Sequence, residues 1–149
     1  MWWLVCPFIL QFIVISLDEY YFHIKRGLPL WERIGHPLDT LTVLSCLLFV
    51  YFIPYSENSL MWYIALAIFS CFMITKDEFI HKEHCPAAEH WLHALLFINH
   101  PILLTCVGYI WKNPTGFLST FLGWQIALTF LFFLYQIIYW NLLWKAKPE

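Results

Sequence analysis

Glutamates and histidines recur in this chain one helical turn apart: Glu19 with His23, Glu32 with His36, Glu78 with His81, and Glu89 with His93. Residues three or four apart share a face of an α-helix, so each pair forms a two-ligand stripe. Carboxylate and imidazole together suit iron, manganese or zinc; a soft copper site would want sulfur, and calcium or magnesium would want oxygen alone. Stripes of this kind on four helices are how di-iron and di-manganese bundles build their centres, and Glu78-x-x-His81 has the spacing of that motif. The other three pairs are E-x-x-x-H, sterically suitable but a different motif. Converging carboxylates repel one another unless something positive lies between them. The sequence therefore predicts two divalent metal ions, iron before zinc or manganese, held by these eight residues, with Glu32 and Glu89 as bridging carboxylates at the reacting centre.

Asp39 lies three residues after His36 on the same face and is a further candidate ligand. Asp18 and Asp77 are read as orienting partners of the ligands or as interfacial acids paired with Lys25, Lys76 or Lys82. His100 follows His93 by seven residues, on the same face and about 10 Å deeper, where it either meets substrate or hydrogen-bonds within the core. His84 and His90 are read as loop or helix-start residues. A purely structural network of buried Glu–His and Glu–Arg pairs is the competing account, but buried ion pairs rarely stabilise a fold by themselves.

The segments that carry these residues look like copies. Asp18 to Asp39 reads DEYYFHIKRGLPLWERIGHPLD, and Asp77 to Ala94 reads DEFIHKEHCPAAEHWLHA. In both, Asp-Glu precedes a histidine, a lysine lies four residues before a proline, and that proline opens P-x-x-E-x-x-x-H: Pro29, Glu32, His36 against Pro86, Glu89, His93. The sequence predicts a duplicated helical hairpin, its copies related by an axis along a membrane normal.

That a membrane is the setting follows from composition. The chain is 61% hydrophobic, 21% aromatic and only 12% charged over 149 residues, against about a quarter charged in an average soluble domain. Five apolar stretches, Trp2 to Leu17, Pro37 to Pro54, Leu60 to Thr75, Trp91 to Trp111 and Phe117 to Trp144, are each candidate spans that extend into their polar flanks. The predicted fold is all-α: one polytopic bundle over residues 1–149 with five transmembrane helices, helices 1-2 (about 1–55) and 3-4 (about 59–112) forming the repeat and a fifth helix at about 117–144. Turn signals at Lys25 to Pro29, Ser56 to Ser59, His84 to Pro86 and Lys112 to Gly116 separate the spans.

Alternating spans place Lys25, Arg26, Arg33, Lys76, Lys82, Lys145 and Lys147 on one side and Lys112 on the other, which puts the charged side and the metal site in the cytoplasm and the N-terminus outside. The first apolar run ends in Asp18-Glu19 rather than at a small-residue cleavage site, so it is read as a retained anchor. The five cysteines form no C-x-x-C pair, and most fall within apolar runs where Cys packs as a small hydrophobe. A net charge of -2 gives no reason to expect a nucleic-acid partner.

The function these features point to is a non-haem di-iron oxidoreductase acting on a lipid or other apolar substrate that enters from the bilayer, with an external electron donor. A zinc hydrolase of a lipid headgroup or amide is the first alternative, and a divalent-metal transporter or sensor the second. Membrane hydroxylases and desaturases also carry histidine clusters at the cytoplasmic face, but their H-x-x-H-H boxes are missing: His81-Lys82-Glu83-His84 runs into Cys85. G-x-S-x-G and H-E-x-x-H are missing too.

Overall fold

Pro29 and Pro86 each stand immediately before a helix in nearly the same extended conformation, φ/ψ -64°/160° and -70°/156°. Proline is suited to this place because the first turn of a helix has no use for its missing N–H. The structure, a computed structural model, describes residues 2–76 and 85–144, and these are helical with no strand among them. A 3₁₀ turn, Trp2–Leu4, leads into α1, Cys6–Asp18, which has Pro7 in its first turn. The backbone stays helical beyond Asp18 through a π turn, Glu19–His23, and a last turn, Ile24–Arg26. It stops at Gly27, whose φ of 79° and ψ of 160° belong to a region that only glycine adopts without strain. A Cβ on Gly27 would also lie 2.5 Å from the Trp144 ring.

Helix α2 is Leu30–Phe52, α3 Glu57–Met73, α4 Ala87–Lys112 and α5 Gly116–Ile138, the last continued by a second π turn, Tyr139–Leu143. Ser56 to Ser59, expected as a turn, is instead the start of α3: the Ser56 and Ser59 side chains cap one another's backbone N–H reciprocally, closing the orphan donors of the first turn. Thr115 caps α5 by accepting from the Leu118 N–H. Three helical segments are long and apolar enough to cross a bilayer, Leu30–Phe52, Ala87–Lys112 and Gly116–Leu143, while Glu57–Met73 is a shorter apolar helix and α1 itself spans 13 residues. Large apolar side chains such as Phe12, Phe52, Trp62, Phe72 and Leu142 lie on the outside, as a lipid solvent permits.

Helix α1 packs mainly on α4, and α2 packs on α3 and α5. The two ends of this bundle differ in chemistry. Leu4 and Phe8 at the start of α1 meet Cys46, Leu47 and Val50 late in α2, Leu103 to Trp111 late in α4 and Leu118 and Leu122 early in α5, forming a continuous apolar core. Two of its polar groups bond backbone carbonyls: Tyr63 donates to that of Leu104 at 2.6 Å and Trp111 to that of Ile53 at 2.7 Å. The opposite end, formed by the end of α1, the starts of α2 and α4 and the end of α5, carries the buried acids and histidines.

Candidate metal centre

The π turn decides which side chains of the first helix face inward. In a regular α-helix residues five apart diverge by about 140°, but the wider π turn brings them back toward one face. Asp18 and His23, five apart across Glu19–His23, are therefore neighbours, with His23 Nε2 3.2 Å from Asp18 Oδ2. From α4, Glu89 Oε1 lies 3.7 Å from His23 Nε2, and His93 Nε2 lies 3.5 Å from Asp18 Oδ2. Asp18, His23, Glu89 and His93 are all buried and can each offer a ligand atom within 4.8 Å of the others. Ligands bound to one ion at about 2.0–2.2 Å stand about 3.0–4.3 Å apart, depending on angle, so the separations fit.

Three buried atoms of this group, Asp18 Oδ1, His23 Nε2 and Glu89 Oε2, make no hydrogen bond to any described residue. Buried polar atoms are ordinarily paired, so three such atoms on side chains of one buried group leave room for something further. Burial alone would discourage charge on His23, yet the Glu19, Glu89 and Asp18 carboxylates raise its pKa to about 10. The carboxylates around the ring thus favour positive charge at this point.

Glu19 lies behind the ligands. Its Oε2 accepts from His23 Nδ1 at 3.0 Å, and its Oε1 accepts from the Tyr135 hydroxyl at 2.6 Å and Trp140 Nε1 at 2.9 Å. A carboxylate on Nδ1 fixes the tautomer and turns the Nε2 lone pair toward a metal. Tyr135 and Trp140 come from the end of α5, whose position is set by Thr40 donating to Gln136 at 2.7 Å and Asn141 donating to the Arg33 carbonyl at 3.2 Å. Neither aromatic stands out as a site residue in the sequence. The available signal is an aromatic residue with a polar tip near the polar end of the last apolar run.

A second group, His23, Glu32 and His36, adjoins the first. The His23 and His36 rings are 4.9 Å apart between centroids. Arg26 joins the two groups: its Nη2 donates to Glu89 Oε1 at 2.7 Å and to Glu32 Oε2 at 3.3 Å, while Nη1 reaches Glu32 Oε1 at 3.5 Å. Burial works against the guanidinium charge, but the Glu32 and Glu89 carboxylates hold its pKa above the ordinary value. Cys85 lies beside Glu89. Burial first, and the Glu89 charge second, push its thiol up to about 12, so it stays neutral and is a poor ligand.

Those of the remaining sequence-predicted residues that the structure describes belong to neither group. Both Asp39 oxygens accept from Lys76 Nζ, at 2.7 and 2.6 Å, and Asp39 belongs to neither group. Glu78, His81, Asp77 and His84 lie outside the described residues. His100 is buried and meets Ser70 Oγ at 3.0 Å, and Ser70 meets Thr42 at 2.8 Å, so His100 takes part in hydrogen bonding within the core. His90 is half-buried in the first turn of α4.

The fold and this site define a class: an all-helical protein, of the membrane type by the length and composition of three of its helices, with a buried Asp/His/Glu group that could hold a metal ion. Comparison with known protein families, with characterised proteins and with solved structures returned no match.

Proposed function

We propose that this protein is a membrane-embedded non-haem iron oxidoreductase whose ion is bound by Asp18, His23, Glu89 and His93, and whose substrate is a lipid or other apolar molecule. The observation that carries the reading is the convergence of four buried side chains, Asp18, His23, Glu89 and His93, each with a ligand atom within 4.8 Å of the others, while Asp18 Oδ1 and Glu89 Oε2 make no hydrogen bond among the described residues. Two imidazoles and two carboxylates leave up to two positions open on a six-coordinate iron or manganese, but they would close a four-coordinate zinc site. This favours redox chemistry over the zinc hydrolase. Iron bound there would supply one-electron chemistry with dioxygen, and an external donor would supply the electrons. Glu19 would orient His23, and the apolar core beyond the site would exclude water and favour an apolar substrate. The apolar opposite half also speaks against a transport path, which should be polar throughout the membrane depth.

The five-span bundle with a duplicated hairpin belongs to the same proposal. It is supported by the matching conformations at Pro29 and Pro86, and by α1 packing on α4 as α3 packs on α2. We place the site at the cytoplasmic face on the asymmetry of Lys and Arg. A reporter fused to the C-terminus is expected to read cytoplasmic, and an external reading would reverse the orientation.

The functional test uses tag-free protein in lipid nanodiscs, loaded with Fe(II) without oxygen and then given oxygen and a chemical reductant. The expected result is oxygen uptake above that of metal-free protein, together with a lipid product that has gained an oxygen atom or lost two hydrogens. Fatty acid or headgroup release by zinc-loaded protein, with no oxygen uptake by the iron form, would overturn this reading in favour of hydrolysis.

A further inference from the structure

Glu32 and Glu89 are both fully buried, and they face the same guanidinium. In a two-ion centre the space between two such carboxylates is where a bridged cation would sit. Here Arg26 fills it, donating 2.7 Å to Glu89 and 3.3 Å to Glu32. The guanidinium is suited to that place because its planar fork can engage two carboxylates at once and remains charged when partly buried. The Arg26 side chain is 27% exposed, so it has a route to water, whereas the carboxylates that it joins have none. It stands one residue before Gly27, where the helix ends.

We infer that Arg26 is a built-in counter-cation holding closed a second divalent-metal position, formed by Glu32 and His36 with Glu89 as the shared carboxylate. The inference rests on the reading that Asp18, His23, Glu89 and His93 bind a first ion. The two groups share His23, whose Nδ1 is already held by Glu19 and whose Nε2 faces Asp18. The second position is therefore assigned Glu32 and His36 of the second group, with Glu89 joined to Glu32 through Arg26.

Charge sets the logic of the exchange. With Arg26 in place, one divalent ion brings Asp18, Glu19, Glu32 and Glu89 within a single charge of neutrality. A second divalent ion would carry the cluster past neutrality unless the guanidinium left, and with Arg26 withdrawn two ions balance the four carboxylates. Withdrawal of Arg26 thus shifts the balance toward two ions, and a lipid phosphate that drew it outward would open the second position.

The test is metal stoichiometry of the full-length, tag-free chain in detergent after anaerobic equilibration with Fe(II) and desalting, with helix content followed by circular dichroism. We expect about one iron per chain in the wild type, two in Arg26→Gln, and one again in Arg26→Gln combined with Glu32→Gln. If Arg26→Gln does not accumulate, Arg26→Met serves, since it removes the charge and keeps the apolar stem. That variant is expected to saturate at two ions at raised Fe(II). Variants saturating at one ion, or a wild type that already binds two, would overturn the inference. A wild type that binds no metal would instead remove the reading on which it rests.

Discussion

Glu89→Gln is expected to strip the purified protein of its metal, lowering affinity by at least about 100-fold while the helices remain inserted. Glu89 belongs to the first group and shares Arg26 with Glu32 of the second. Its Oε1 accepts from Arg26 and lies 3.7 Å from His23 Nε2, while its Oε2 is buried and makes no hydrogen bond among the described residues. An amide in its place offers a neutral oxygen or an N–H donor, and either orientation leaves the ion or Arg26 without its anion. Changes to groups merely supporting a metal ligand commonly weaken binding about 10- to 100-fold, so removal of a ligand should lie at or beyond the upper end. The same change half-releases Arg26. Because Arg26 can turn to water, the stability loss should be smaller than the roughly 3–5 kcal/mol of a fully buried broken pair. Asp39→Asn is the matched control: its carboxylate is committed to Lys76, and metal affinity should not change. Equal metal retention by Glu89→Gln and the wild type, measured by competition with a chelating dye, would remove Glu89 from the ligand set.

The second large effect is expected from a residue that touches no ion. Glu19→Gln should weaken metal binding about 10- to 100-fold without altering stoichiometry at saturation. Glu19 makes three contacts, accepting from His23 Nδ1, the Tyr135 hydroxyl and Trp140 Nε1. An amide can keep some of these contacts but supplies no negative charge to the imidazole, so Nε2 becomes a poorer donor. Tyr135→Phe removes one hydrogen bond to Glu19 and leaves the charge, and should cost less than Glu19→Gln. A purely structural Glu19 would change thermal stability and leave the metal dissociation constant where it was, which is the result that would contradict this role.

The sequence shows some of this site and conceals the rest for identifiable reasons. Glu32 with His36 and Glu89 with His93 follow from a regular helical period counted from a proline, and the structure starts α2 and α4 where that counting requires. The first helix breaks the period. Its π turn inserts one residue, so Asp18 takes the inward position beside His23 and Glu19 moves behind the ring. A π turn has no dependable local signature, since it is selected by what the turned side chains gain across the bundle. Arg26 reads in the sequence as a topology charge, and its two carboxylate partners become visible only when α2 and α4 are brought together. At Asp39 a helical face suggested a ligand, and the structure shows its carboxylate accepting from Lys76, 37 residues away, a pairing that no local spacing reveals. The fifth apolar run reads as an unpaired span, yet α5 supplies Tyr135 and the buried Trp140 that hold Glu19.

If Asp18, His23, Glu89 and His93 surround a cation, the protein purified from the cell should carry it. The most direct test is elemental analysis of the wild-type protein, purified without a histidine tag and with no metal added. About one iron per chain, lost together with the Asp18 or Glu89 carboxylate, is the predicted result. A metal-free chain that also fails to take up Fe(II), Mn(II) or Zn(II) would contradict this assignment and leave the cluster as a buried network of Arg26, protonated histidines and carboxylates.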